Sequence, residues 1–325
     1  MTAATLDRSS MPASTPRFEP TIDIDVDVPG TDEALRSDEA PPPLSPRLEL
    51  VRAVLVLVCV LSVSLLVQLA LISNLQASAA QRRAFDKLRG QLATGTAPVG
   101  PNDSNGHEVA IGTPIAYLEI PSLDLEQVIV QGTSPSALFT GPGHRRDTPL
   151  PGQIGTSIVL GRRAAFGGAF ADIDELRKGD RIKVTTGQGE FQFTVLDTRG
   201  EGDPAPPPPT SGAARLILVT ATGMPFLPDG VIRVDAELDG KAVVGAAPRV
   251  TANQLPGAEK IMGSDSSTLW ALALWLQALI ALSIAAVWAW HRWGRAQAWV
   301  VFLPPLVLVG LMTTSELSRL LPNLL

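Results

Sequence analysis

Few side chains in this chain of 325 residues can act as nucleophiles or carry protons near neutral pH. The sequence has a single cysteine, Cys59, and three histidines, His107, His144 and His291. Cys59 lies in an uncharged apolar stretch, 53–73, where a residue that packs against lipid or another helix is expected. One cysteine excludes an internal disulfide, and these four residues lack metal-ligand spacing. The sequence therefore predicts no metal, no cofactor and no thiol outside the membrane.

Two segments have the pattern of buried strands that end at a site, yet they contain neither Cys nor His. They are SIVLGRRAAFGGAF at 157–170 and LILVTATG at 216–223. Thr220 and Thr222 supply hydroxyls in the second segment, but each needs a neighbouring base to become a nucleophile. His144 lies in GPGHRR, where we expect a hydrogen-bonding residue of a loop. The two segments predict the frame of a site without its reactive groups.

Short β-rich runs divided by Gly and Pro fill residues 110–240, which is typical of a sandwich or a barrel. The predicted strands lie near 113–120, 126–131, 156–160, 181–186, 190–197, 215–220 and 231–238. Two short helices are predicted at 134–139 and 169–177.

Three apolar stretches are long enough to cross a hydrocarbon core of about 30 Å. We expect transmembrane helices at 48–75, 268–291 and 296–316. In the third stretch, Pro304 and Pro305 remove backbone hydrogen bonds and kink the helix. A buried or re-entrant helix is the alternative for that stretch.

The loop between the second and third stretches, 292–295, carries Arg292 and Arg295, and short basic loops stay in the cytoplasm. We therefore predict a multi-pass cell-membrane protein with residues 110–240 outside the cytoplasm and residues 1–47 inside it. Four basic residues near the first stretch point the other way: Arg82, Arg83, Lys87 and Arg89.

The remaining segments are predicted to be tails, linkers and one short helix. Residues 1–47 are rich in Pro, Ser, Thr and acids, and we expect a disordered tail. Residues 76–109 are predicted as a juxtamembrane helix and a flexible linker, 241–267 as a second linker and 317–325 as a C-terminal tail. The formal charge of −6 and the lack of a basic patch exclude a nucleic-acid partner.

The β domain from Ile111 to Leu238 resembles the sortases, the cysteine transpeptidases that attach proteins to Gram-positive cell walls. The resemblance rests on the order and spacing of six pieces: IAYLEIPSLDLEQVIVQGT (115–133), LFTGPGH (138–144), PLPGQIGTSIVLGRR (149–163), FADIDELRKGDRIKVTT (170–186), LILVTAT (216–222) and VIRVDAEL (231–238). It implies an all-β fold, a closed eight-stranded barrel with short helices, to which the three transmembrane α-helices are added. A closed barrel also leaves no strand edge free to aggregate.

Sortases use a His, a Cys and an Arg, and the resemblance assigns their positions in this chain. The His falls in a Gly-His-Arg string, which here reads GRR with Arg162 in the place of the His. The Cys follows a Thr, and here Ala221 follows Thr220, while the Arg that begins the last strand is kept as Arg233. A methyl group cannot attack a carbonyl, and a guanidinium does not exchange protons at neutral pH. The resemblance therefore implies a pseudoenzyme with no catalytic residues.

Several side chains would face one groove if the barrel closes as in sortases. The candidate binding residues, for a carboxylate, a phosphate or a peptide, are Arg162, Arg163, Thr220, Thr222 and Arg233. The alternative for Arg162 is a side chain that turns to solvent or pairs with one of three acids, Asp172, Asp174 or Glu175. The Pro-rich connection 200–212 walls the groove in sortases; here it blocks the groove, presents a rigid polyproline II surface or is an ordinary loop.

These observations lead to two functional hypotheses from different classes. The first is a catalytically inactive, sortase-like membrane protein that acts as a scaffold or accessory subunit of a cell-envelope complex, with a transporter or a wall-assembly machine. Its partners would be other membrane proteins, bound through the transmembrane helices and the barrel. The second is a binding module that captures a sorting-signal peptide or an envelope glycan without processing it. An enzyme that uses a Thr or His144 is the least favoured reading.

Overall fold

The computed structural model describes residues 72–103, 105–224 and 226–325, together with Leu48, Arg52, Leu55, Cys59, 62–64, Leu66 and Val67. All the helices and strands named below belong to a compact unit that runs from Val54 to Leu325. The tail predicted at 1–47 lies outside the described residues, and so does most of the transmembrane helix predicted at 48–75.

Eight strands form a closed barrel, as the resemblance implied. They are β1 (Pro114–Ile120), β2 (Leu125–Gln131), β3 (Gly143–His144), β4 (Gly155–Leu160), β5 (Arg181–Thr186), β6 (Gly189–Arg199), β7 (Ala214–Met224) and β8 (Leu227–Leu238). The order around the barrel is β1-β2-β3-β4-β7-β8-β6-β5. β2 pairs with β3, and β4 with β7, in parallel, and the other neighbours are antiparallel. The seven predicted strands are present, and the two-residue β3 is the strand that the pattern missed.

Apolar side chains fill the barrel because they alternate along its strands. The interior cluster includes Leu118, Val184, Phe193, Leu216 and Val234, all fully buried. Successive side chains of a strand point to opposite faces, so the neighbours of Leu216 on β7 lie on the outer face. There Ile217, Val219 and Ala221 contribute to a second apolar cluster. This outer cluster, and not the interior, holds the candidate site.

Short turns of 3-10 helix lie in the described connections. They span Pro121–Leu123, Ala137–Phe139, Ile173–Glu175, Gly257–Glu259 and Ser266–Thr268. The second and third correspond to the helices predicted at 134–139 and 169–177, each reduced to a single turn.

Helix α1, Ser73–Thr94, packs along the barrel and covers the first part of the stretch 76–109, where a juxtamembrane helix and a linker were predicted. Ala84 and Leu88 are buried against Val128 of β2. The Gln81 side chain donates to the carbonyl oxygen of Val128 at 3.1 Å and accepts from its amide at 2.8 Å. These contacts make α1 part of the barrel domain.

Two long helices form an antiparallel hairpin, α2 (Leu269–Trp293) and α3 (Arg295–Arg319). Gly294 alone connects them, with a φ of 103° that favours glycine. By length and composition both helices can cross a membrane. Two candidate transmembrane helices, and not the three predicted, therefore lie in the described part of the chain. Pro304 and Pro305 lie inside α3 without ending it.

The segments predicted as linkers and as a tail are packed on the barrel. The Arg146 guanidinium donates to the carboxylate of Glu259 at 2.6 and 2.9 Å and to that of Glu108 at 2.8 Å, which joins both linkers to the domain. Residues 317–325 are the end of α3 followed by a segment, 320–325, that returns to the barrel. We call residues 320–325 the docked segment.

Candidate functional site

The positions matched to the sortase His and Cys lie side by side where two parallel strands end. β4 pairs with β7 up to Leu160, which lies opposite Val219. The pairing continues beyond β4, because the amide of Gly161 donates to the carbonyl oxygen of Val219 at 2.9 Å. This register brings Arg162 next to Ala221.

Ala221 is buried on the outer face of the barrel, with 1% of its surface exposed. Its methyl group belongs to an apolar cluster whose buried members are Leu138, Leu160, Val219, Ala221, Val231 and Leu324. Leu324 comes from the docked segment and is completely buried. The position matched to the sortase nucleophile is therefore buried in the same apolar cluster as a residue that follows the α2–α3 hairpin.

Arg162 is a buried cation that aromatic faces and carbonyl oxygens surround. It is 1% exposed, and its guanidinium carbon lies 5.0 Å from the ring centroids of both Phe139 and Phe166. Nη1 donates to the backbone oxygen of Leu325 at 3.1 Å, and Nη2 to the carbonyl oxygen of Pro135 at 3.2 Å. Cation–π attraction and carbonyl dipoles take the place of the water that the cation loses on burial.

Among the residues that the structure describes, no acidic side chain pairs with Arg162. Arg163, and not Arg162, pairs with Asp174, at 3.1 Å. Burial lowers the pKa of Arg162 to about 9, which still leaves the guanidinium protonated at neutral pH. Its buried Nε has no hydrogen-bond partner within the described chain, at a cost of about 1–3 kcal/mol. Neither alternative expected for Arg162, exposure to solvent or an acidic partner, is adopted.

Two other predicted binding residues, Arg163 and Arg233, lie near Ala221. Arg163 follows Arg162, and its Nη1 donates to the carbonyl oxygen of Ala221 at 3.2 Å. Arg233 of β8 lies directly opposite Val219 of β7, so that its side chain shares the outer face of the sheet. The structure brings these two arginines and Arg162 to one region.

The structure separates the predicted threonines from that region. Thr220 and Thr222 alternate with Ala221 along β7 and therefore point to the opposite face. The hydroxyl of Thr220 donates to the carbonyl oxygen of Gly161 at 2.9 Å, and that of Thr222 donates to Asp229 at 2.8 Å. Both hydroxyls fix the ends of strands, and neither contributes to the site.

The docked segment supplies residues of the candidate site that the sequence did not predict. The carbonyl oxygen of Leu324 accepts from the amide of Arg163 at 2.9 Å. The side-chain amide of Asn323 donates to the carbonyl oxygens of Thr133 and Lys260, at 2.8 and 2.9 Å. The available signal was the uncharged run LLPNLL after α3, which is too apolar for a free tail.

His144 is buried in β3 and has structural partners. Its Nδ1 lies 3.0 Å from Oε1 of Gln131 and its Nε2 lies 3.0 Å from the carbonyl oxygen of Pro149. Burial lowers the pKa of His144 to about 4, so that the ring is neutral at physiological pH. This is the hydrogen-bonding role predicted for it.

The Pro-rich connection and the acidic side chains offer no further site. Residues 201–205 are exposed, and Arg215 holds the connection through the carbonyl oxygen of Pro207, at 2.6 Å. The chain that packs over Ala221 is the docked segment. Within the described ranges, no group of three or more His, Cys, Asp or Glu residues could hold a metal ion.

Comparison with known proteins identifies the barrel. Residues 118–226, a range that contains both Arg162 and Ala221, match the family model of the sortase domain. The barrel is a sortase domain. Over 88 residues the chain is 33% identical to Sortase D of Bacillus subtilis (strain 168), which covers 27% of this chain and 43% of that relative. The chain thus spans less than half the length of this curated relative.

Solved sortase structures are similar to the sortase domain. A Clostridium perfringens Sortase D5 transpeptidase is 22% identical with a TM-score of 0.42, over 50% of this chain and 99% of that one. Sortase E from Streptomyces avermitilis is 29% identical with a TM-score of 0.35, over 40% of this chain and 91% of that one. Sortase homologues are transpeptidases. The matched range of the family model ends at residue 226, so Arg233 and the docked segment of this chain lie beyond it.

Proposed function

We propose that this protein is a catalytically inactive sortase of the Gram-positive cell envelope that acts as a scaffold or accessory subunit of a membrane complex. The observation that carries the proposal is the packing of Leu324 against Ala221 in one buried apolar cluster. A sortase domain whose nucleophile position is a packing contact is suited to holding a partner and not to turning over a substrate.

The chemistry of the two replaced positions supports this proposal. Transpeptidation needs a thiolate that attacks a peptide carbonyl and an acid that protonates the leaving amine. Ala221 has no atom that can attack. Arg162 stays protonated up to about pH 9, and it already donates to Pro135 and Leu325. Both positions thus have structural roles in the folded chain.

The membrane hairpin supports a partner within the bilayer. One cleft between α2 and α3, of about 310 Å³, is lined by apolar side chains that include Trp290, Trp299 and Phe302. Trp299 is 53% exposed. Aromatic and small side chains at such a cleft permit close packing of another transmembrane helix. The sortase domain would then be held outside the cytoplasm beside that partner.

The test is purification of the intact protein from native membranes in mild detergent. We expect integral membrane proteins of the envelope to co-purify, and Trp299→Ala to reduce their recovery. Trp270→Ala is the matched control, because this exposed tryptophan of α2 does not line the cleft around Trp299. Isolation as a lone monomer in several detergents, or acyl transfer above background by the unaltered protein, would contradict the proposal.

The alternative of a binding module has less support. A captured peptide or glycan would need the groove beside Ala221, and the docked segment fills that groove with Leu324 and Leu325, which are 0% and 5% exposed. Capture would require the segment to leave first.

A further inference from the structure

We propose that the groove beside Ala221 is an intramolecular receptor site for residues 321–325, and that occupancy by this segment couples the membrane hairpin to the sortase domain. The groove recognises side chains of the segment as well as its backbone. The proposal depends neither on the absence of catalysis nor on the identity of a partner.

Asn323 gives the interaction its sequence dependence. Its side chain is completely buried, and Nδ2 lies within hydrogen-bond distance of three carbonyl oxygens, those of Thr133, Ala258 and Lys260, at 2.8, 3.4 and 2.9 Å. A carbonyl oxygen only accepts hydrogen bonds, so this arrangement requires a donor. An aspartate of the same shape would place a carboxylate against the same oxygens.

Two leucines of the segment enter separate apolar pockets. Leu324 packs among the outer-face residues around Ala221. Leu321 packs against a different cluster, formed by Ala77 of α1 with Ala165 and Phe166. The segment therefore connects α1, the outer face of β7 and the loop after β4.

Backbone hydrogen bonds fix the register of the segment in the groove. The amide of Asn323 donates to the carbonyl oxygen of Gly263 at 2.9 Å, and that of Arg163 donates to Leu324 at 2.9 Å. A turn with the amide of Leu325 donating to Pro322, at 3.2 Å, bends the segment so that Leu325 reaches Arg162. Arg162, at the position of the sortase His, thus binds the backbone of the segment.

The segment is joined to the hairpin without a flexible spacer. α3 ends at Arg319, and the amide of Leu320 still bonds to Leu317. The amide of Asp265, just before α2, donates to the carbonyl oxygen of Arg319 at 3.2 Å. A shift of α3 against the barrel must therefore pull on Asn323 and Leu324, which is the physical basis of the coupling.

Hydrogen–deuterium exchange on the full chain in nanodiscs tests the proposal. The amide of Arg163 reports occupancy, because it donates to Leu324. We expect Asn323→Asp to accelerate exchange of the peptide that contains Arg163 by about tenfold or more, while amides of β5 and β6 keep their protection. Asn105→Asp is the matched control, since Asn105 is exposed in a loop, and it should change nothing.

A peptide rescue experiment tests whether binding in the groove depends on the sequence of the docked segment. In a variant that lacks residues 320–325, exchange at Arg163 should rise, and a peptide of residues 318–325 with both ends blocked should restore protection. The same peptide with Asn323→Asp should restore it at least about tenfold less well. Unchanged exchange at Arg163 in both variants, equal loss of protection in β5 and β6, or equal rescue by the two peptides would overturn the proposal.

Discussion

Arg162 and His144 are buried in this sortase domain without a hydrogen bond to an acidic side chain, and burial lowers the pKa of both. The pKa of Arg162 falls to about 9 and that of His144 to about 4. At neutral pH the first is therefore a cation and the second a neutral ring. Phe139 and Phe166 line the environment of the cation, whereas the ring of His144 lies against the amide of Gln131.

Acid should destabilise the domain through His144. The folded pKa is about 4 and the unfolded pKa is about 6.5, so the unfolded state binds more protons between these values. Stability should be unaffected by His144 above about pH 6.5 and should fall by up to about 3 kcal/mol as the pH drops towards 4. Denaturant unfolding at several pH values measures this.

The variant His144→Gln isolates that contribution. It should flatten the loss of stability between pH 6.5 and pH 4. His107→Gln is the matched control, because the His107 side chain is 81% exposed. An identical acid profile for His144→Gln and the unaltered protein would show that the buried ring does not govern acid stability.

At the scale of residues, the sequence could predict that Arg162 lies beside Ala221. It could not predict which residues surround the Arg162 side chain. The two strand patterns ending in GRR and VTAT are enough to place Arg162 beside Ala221 once the strands are parallel neighbours. The burial of Arg162 depends on Phe166, on Pro135 and on Leu325, which are distant in sequence or in loops. No local pattern encodes contacts of that kind.

At the scale of elements, polar side chains tie α1 to the barrel domain: Ser73 and Asn74 at its start accept from the amides of Phe166 and Gly167, and Gln81 makes the contacts farther along. Gln81 donates to the carbonyl oxygens of Val128 and Thr140 and accepts from the amide of Val128, at 3.1, 2.8 and 2.8 Å. A Cβ at Gly141 would collide with the Gln81 amide, so the glycine makes room for this contact. The helix and the barrel wall are therefore shaped for each other.

Replacement of Gln81 should detach this helix from the barrel. Gln81→Met removes three hydrogen bonds and leaves the amide of Val128 unpaired, which we expect to cost about 2–4 kcal/mol. Chemical denaturation measures the loss. Lys87→Met, at an exposed position of the same helix, is the control and should change stability by less than about 0.5 kcal/mol.

Helices and strands were predictable where a hydrophobic period, or a Gly or Pro that ends the element, marks them in the sequence. β7 and β8 show an alternating pattern, and α2 and α3 are long apolar runs. β3 could not be predicted in this way, because two residues are too few to show a hydrophobic period. α1 was predicted as a helix but not as part of the domain. Three of its four buried residues, Ser73, Ala77 and Ala84, are small, which gives a weak apolar signal.

At the scale of the whole molecule, a thiol at position 221 reports whether the groove is open. In a Cys59→Ser background, Ala221→Cys should react slowly with a water-soluble maleimide, because position 221 is buried beside Leu324. Deletion of residues 320–325 should accelerate labelling by about tenfold or more.

A second thiol on the same strand provides the comparison. Met224→Cys should be labelled rapidly with or without the docked segment, since Met224 is 68% exposed. Equal labelling of the two thiols in the full chain would mean that Ala221 is not covered. Equal labelling of Ala221→Cys with and without residues 320–325 would assign its burial to other residues.

The single glycine between α2 and α3 has a mechanical consequence. With one residue at the bend, the polypeptide leaves the barrel near Thr268 and comes back near Leu320 at the same end of the hairpin. If a neighbouring protein displaced these two helices sideways, the continuous backbone would transmit the displacement to the groove beside Ala221. The conformation of that groove would then respond to mechanical strain that arises in the hairpin.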